Sequence, residues 1–157
     1  MSQRTNTLDP ILLVEDDHDH AELIMRALKE DGGLMNEIYW VDNGQKALDF
    51  ISHAGDYMAD NAPRPGLILL DVKLPRKDGF EVLHALKSDE KYKDIPIVML
   101  TTTSNSGDVE KALKLGANDY IVKPMQFQNF FTKVHELGQY WAFISDSHLV
   151  GRRHNDR

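Results

Sequence analysis

No cysteine occurs among the 157 residues of this chain. That excludes disulfides, thiolate metal sites and thiol nucleophiles, and it fits a reducing compartment. No apolar run approaches the roughly 18 residues expected of a membrane span, and the first ten residues, MSQRTNTLDP, lack the apolar stretch of a secretory signal. No membrane association is expected, and a cytoplasmic location is. Basic residues are the minority, 18 Lys and Arg against 25 Asp and Glu, for a formal net charge of -7. Surfaces that bind a phosphate backbone are built from clustered Lys and Arg, so no nucleic-acid partner is expected. The one basic cluster, Arg152, Arg153 and Arg157, falls in a polar end that reads as a solvated tail. Repeats and low-complexity tracts are absent as well. A chain of this length fits one domain that buries roughly 68–70% of its unfolded surface, with no second, output domain expected.

What is present is a set of short apolar runs, four of which end at a polar residue. Ile11 to Val14 leads into Glu15 and Asp16, Leu67 to Leu70 into Asp71, Ile97 to Leu100 into Thr101, and Tyr120 to Val122 into Lys123. A further strand is expected over Glu37 to Val41, before Asp42-Asn43-Gly44. Between the runs the apolar spacing becomes helical. A first helix is expected over His20 to Lys29, stopped by Asp31-Gly32-Gly33, and a second is carried by Ala47, Leu48, Phe50 and Ile51. After a long polar connection from Gly55 to Gly66, Phe80, Val82, Leu83 and Leu86 mark a third helix. Val109, Ala112, Leu113 and Leu115 mark a fourth, stopped at Gly116. A long aromatic helix is expected from about Gln126 through Phe130, Trp141 and Ile144. Strands alternating with helices imply right-handed parallel crossovers and helices on both faces of one sheet. In such a sheet the four polar ends share one edge, where ligands of open α/β sheets bind.

Glu15, Asp16 and Asp71 would bring three carboxylates into one small site. Two unit charges about 4 Å apart repel by roughly 4 kcal/mol at an effective dielectric near 20. A hard divalent cation relieves that repulsion, and Mg²⁺ suits a site with only two or three protein oxygens because it keeps several waters and also binds phosphate. A carboxylate can attack phosphorus to form an acyl phosphate, and Asp71, at the end of the central apolar run, is the expected attacker. Phosphoryl transfer needs mostly positioning and charge neutralisation, which a cation and the Lys123 ammonium would supply, with Thr101 donating a hydroxyl hydrogen bond. Each residue alone has a plainer reading: Glu15 and Asp16 as capping or solvated acids, Asp71 as a cap, Thr101 as a strand or N-cap residue, Lys123 as a turn lysine. Their coincidence at four strand ends carries the functional one.

These segments, VEDD at Val14 to Asp17, LLDVKLPRKDG at Leu69 to Gly79, MLTT at Met99 to Thr102 and GANDYIVKP at Gly116 to Pro124, resemble the response-regulator receiver domain. The likeness runs from Pro10 to about Gln139. It implies a receiver domain over residues 10–145 with a long final helix, an N-terminal extension over 1–9 and a polar tail over 146–157. It also implies a flavodoxin-like (βα)5 doubly wound parallel sheet of order 2-1-3-4-5. In that resemblance Asp71 accepts phosphate from a sensor histidine kinase, and Asp16, Asp71 and the Lys73 carbonyl bind Mg²⁺, with Glu15 helping directly or through water. Thr101 and Lys123 hold the phosphoryl group, and Tyr120 matches a switch aromatic that follows the Thr101 hydroxyl. Lys73 and Thr103 stand at the family's variable positions, so the acyl-phosphate lifetime is left open.

The same resemblance puts the signalling surface on the fourth helix, fifth strand and fifth helix, which here continues into Tyr140-Trp141-Ala142-Phe143-Ile144. Those aromatics either fold back on the sheet or bury against a second subunit, and a homodimer through this face is the preferred reading. The long connection, the LPRKDG segment and the aromatic end also resemble stand-alone regulators partnered with bacterial phytochromes. His18, His20, Glu22 and Met25 on the first helix form the expected kinase-docking face. His18 and His20, two apart, face different sides of a helix, which argues against a joint metal role. Two rivals remain open. A haloacid-dehalogenase-type phosphatase would also use a nucleophilic Asp with Thr, Lys and Mg²⁺, but it carries a second Asp where this chain has Lys73. A receiver-like module that works without phosphate would be expected to lack a site residue, and none is missing. A phosphoacceptor protein rather than an enzyme is therefore expected.

Overall fold

The computed structural model describes residues 9–31, 35–101 and 106–122. Five parallel strands, β1 (Ile11–Val14), β2 (Ile38–Val41), β3 (Leu67–Asp71), β4 (Ile97–Thr101) and β5 (Asp119–Val122), form one sheet in the order β2-β1-β3-β4-β5. Between them lie α1 (His18–Arg26), α2 (Gly44–Ser52), α3 (Gly79–Lys87) and α4 (Ser106–Lys114). The expected fifth helix, its Trp141 region and the polar tail lie outside the described residues. This is the doubly wound flavodoxin-like arrangement expected from the sequence, with β1 and β3 at the centre.

The strands are apolar along their length because both sheet faces are covered, and the two-residue period of the strand sorts the side chains. Leu12, Val14, Ile68, Leu70, Ile97 and Met99 point to one face, where they pack with Phe50 of α2 and with Val82, Leu83 and Leu86 of α3. Their neighbours Ile11, Leu13, Leu67, Leu69, Val98 and Leu100 point to the other, against Ala21 and Ile24 of α1. Shifting any strand by one residue would exchange these sets, so the register follows from the packing.

Local chemistry moves several boundaries from their expected places. α1 starts at His18 because the Asp17 side chain caps it, accepting from the backbone N–H groups of Asp19 at 2.9 Å and His20 at 3.1 Å. It ends not at Lys29 but in a wide π-helical turn over Ala27–Asp31. α2 starts at Gly44, with the Asn43 side chain accepting from Lys46 N–H at 2.8 Å. α3 opens on a reciprocal capping box between Asp78 and Glu81. α4 is closed as expected at Gly116, whose φ of +105° is one that side chains resist.

The long connection after α2 is anchored rather than bare. Tyr57 stacks edge-on against Phe50 at 5.3 Å, Ala62 is buried, and a His53 ring nitrogen pairs with the Ala62 carbonyl at 2.8 Å. At the opposite end of the sheet from the acidic edge, the Lys87 ammonium donates to the carbonyls of Lys93 and Ile95 and to Asn118 Oδ1. Burial holds that ammonium below the ordinary lysine range, opposed by the Asp94 carboxylate.

Candidate phosphoacceptor site

Parallel pairing brings the C-terminal ends of the strands to one edge. Val14 is in register with Leu70 and with Val41, Asp71 with Leu100, and Thr101 with Val122. Glu15 and Asp16 therefore follow β1 beside the residue that ends β3, and Thr101 ends β4 next to it. The carboxylate oxygens of Glu15, Asp16 and Asp71 lie within 4.8 Å of one another. Glu15 and Asp71 are 1% and 5% exposed, whereas Asp16 is open to solvent. Two buried carboxylates and one exposed one, gathered so closely, are a donor set of hard oxygens with an entry from water. That set fits a hard divalent cation.

Backbone contacts hold these groups in place. Glu15 N–H donates to the Val41 carbonyl at 3.1 Å, and Asp17 N–H donates to Glu15 Oε2 at 3.2 Å. After Asp71, Val72 N–H donates to the Leu100 carbonyl at 2.9 Å, and Gly79 N–H to the Val72 carbonyl at 2.8 Å. The start of α3 is thus tied back onto the residue that follows Asp71. Gly79 fits there because it has no side chain: a Cβ would stand 2.2 Å from the Asp71 carbonyl oxygen. Gly44 is pressed in the same way against the Lys77 carbonyl, which joins the start of α2 to the loop after β3.

Thr101 is buried at 4% exposure, and the Lys73 side chain is exposed. Tyr120 sits on β5 in register with Met99 and is 37% exposed. Lys123, one residue past Val122, and Thr103 lie outside the described residues. An open cleft of about 550 Å³ runs from Asp16 past Lys73, Leu74 and Phe80 to Asp108. The Lys111 ammonium sits 4.5 Å from the Phe80 ring centre, tying α4 to α3. The glycine contacts were not foreseen from the sequence, and neither was Trp40, whose indole N–H donates to the Glu15 carbonyl at 2.8 Å. The register of Val41 with Val14 is the signal that would have placed Trp40 beside that turn.

A sheet of this order, with an acidic cluster and a buried threonine at its C-terminal edge, defines the class of the chain. It belongs to the response regulator receiver domain family, whose model matches residues 11–135. Receiver-domain response regulators are the signalling proteins of phosphorylation-based two-component systems. Among the relatives, the chain is 38% identical over 141 residues to response regulator Rcp1 of Synechocystis sp., covering 90% of this chain and 94% of Rcp1. It is 40% identical over 132 residues to the probable methanogenesis regulatory protein FilR2 of Methanothrix harundinacea, covering 83% of this chain and 82% of FilR2. The crystal structure of the phosphorylated cyanobacterial phytochrome response regulator RcpA superposes with a TM-score of 0.80 at 38% identity, covering 87% of this chain and 95% of RcpA. That of the Mn(2+)-bound form of Rcp1 gives 0.79, covering 85% of this chain and 94% of Rcp1. No helix among the described residues is long and apolar enough to cross a membrane.

Proposed function

We propose that the chain is a phosphoacceptor switch: Asp71 takes a phosphoryl group from the phosphohistidine of a sensor histidine kinase. The observation that carries this reading is the meeting of Glu15, Asp16 and Asp71 within 4.8 Å at the strand ends, with Thr101 buried on the adjoining strand. An Asp71 oxygen attacks phosphorus, the phosphorus–nitrogen bond breaks as the phosphorus–oxygen bond forms, and the imidazole leaves with the electron pair and is reprotonated. Glu15, Asp16, Asp71 and the Lys73 carbonyl would hold Mg²⁺, which when bound neutralises charge on the phosphoryl oxygens. The Thr101 hydroxyl and the Lys123 ammonium hold the remaining oxygens. The chain turns over no external substrate in this reading. The phosphatase alternative is disfavoured by Lys73, which stands where such an enzyme needs a second acid.

Relatives such as RcpA, described as a cyanobacterial phytochrome response regulator, support a phytochrome-type kinase as the donor, docking on α1 beside the site. Tyr120, 37% exposed on β5, is the aromatic that would turn inward as Thr101 turns to the phosphoryl group. Leu113 of α4, exposed at 48%, and Tyr120 at 37% support a dimer of two copies through the fourth helix, fifth strand and fifth helix with the Trp141 region. Intact-mass measurement with a small phosphodonor is expected to give one phosphoryl group per chain with Mg²⁺ and none with a chelator. Modification that ignores Mg²⁺, or steady turnover of the donor without a modified chain, would contradict the assignment. Sedimentation at low micromolar concentration is expected to give a dimer boundary, and a monomer with and without phosphate would end the dimer reading.

A further inference from the structure

The turn that carries Glu15 and Asp16 is gripped from the edge strand of the sheet. Ile11 N–H donates to the Glu37 carbonyl and Glu15 N–H to the Val41 carbonyl, so the peptide groups of alternate β1 residues face β2. After Val41 the chain leaves the sheet, and Asn43 caps α2. At the place where the ladder gives out, the Glu15 carbonyl takes a hydrogen bond from a side chain, the indole N–H of Trp40, at 2.8 Å. The same indole is met by the ring of His18, the first residue of α1, edge to face at 4.7 Å and 88°. One half-buried side chain on β2 therefore touches the turn before Asp16 and after Asp17. The Asp17 N–H to Glu15 Oε2 bond closes the turn from inside.

We propose that Trp40 is a positioning residue of the acidic site. Its N–H and ring hold the β1–α1 turn so that the Glu15 and Asp16 carboxylates already face Asp71 when a cation arrives. The inference rests on the reading of the acidic cluster as a cation site. A tryptophan that merely covered the sheet edge would need its ring but not its N–H, because packing depends on shape and the hydrogen bond on the donor. Groups behind the ligands of a metal site fix ligand geometry, and losing one typically weakens metal binding by about 10- to 100-fold.

The test compares wild type, Trp40→Phe, and protein with 3-benzothienylalanine incorporated at position 40, which keeps the fused ring and lacks the N–H. Mg²⁺ binding is measured by calorimetry, thermal unfolding without Mg²⁺, and exchange of the Asp17 amide by NMR. The benzothienyl protein is expected to unfold close to wild type, to bind Mg²⁺ about tenfold more weakly, and to exchange the Asp17 amide faster. Mg²⁺ affinity within twofold of wild type in the benzothienyl protein would overturn the role of Trp40, even if Trp40→Phe fails to fold. Absence of Mg²⁺ binding by wild type itself would instead overturn the cation reading of the site, and this inference with it.

Discussion

Asp71→Asn is expected to fold and to take up no phosphoryl group from any donor, a complete loss rather than a partial one. The substitution exchanges a carboxylate oxygen for an amide nitrogen of nearly the same size in a position only 5% exposed, so packing against the neighbouring strands is retained. An amide oxygen is a poor nucleophile toward phosphorus, and the acyl phosphate has no other place to form at the end of β3. Removing one negative charge from a cluster whose oxygens lie within 4.8 Å also relieves repulsion. The apo protein should therefore be at least as stable as wild type to heat, while its Mg²⁺ affinity falls. Intact mass and thermal unfolding of the two proteins side by side check both halves. A modified Asp71→Asn chain would place the chemistry elsewhere.

The second large effect comes from a residue with no chemistry of its own. Gly79→Ala would set a methyl group 2.2 Å from the Asp71 carbonyl oxygen and 2.8 Å from Val72 Cα. Both are backbone atoms, which cannot swing aside as a side-chain end can. Alanine gains up to about 1 kcal/mol over glycine inside a helix, and less at the first helical residue. Overpacking typically costs about 1–3 kcal/mol and sometimes more. Because the obstacle is the backbone of a central strand, the cost wins, and a net loss of about 2 kcal/mol is expected in urea unfolding. The shift needed to relieve the contact moves Asp71, the proposed acceptor, so phosphorylation by a small donor should slow together with the stability loss. Gly55→Ala is a useful contrast. Its φ of +63° also disfavours a side chain, but its nearest contact is 3.5 Å away, on the Asp49 carboxylate, and it should leave phosphorylation unchanged.

The sheet was legible in the sequence because each strand is a short run that is apolar at almost every position, a pattern that fits strands covered on both faces. The acidic edge was legible for the same reason: Glu15, Asp71 and Thr101 each follow or close such a run, and parallel strands bring their ends together. Helix starts were less so. His18 and Gly44 are poor helix formers, and their helices begin there because Asp17 and Asn43 cap them, a local bond that outweighs propensity. The π-helical turn over Ala27–Asp31 leaves no signature in the apolar spacing. Trp40 and Gly79 were missed because their roles depend on what stands opposite them. A tryptophan in an edge strand and a glycine after an aspartate look ordinary until register and packing put one against the Glu15 carbonyl and the other against that of Asp71.

The central claim concerns one oxygen atom, and it can be read directly. Borohydride reduces an aspartyl phosphate to homoserine, so phosphorylated protein treated in this way, digested and sequenced by mass spectrometry reports which side chain carried the group. The account predicts homoserine at position 71 alone, dependent on Mg²⁺ during phosphorylation. Homoserine at position 16, or phosphate found on Thr101 or on a histidine with position 71 unreduced, would contradict it.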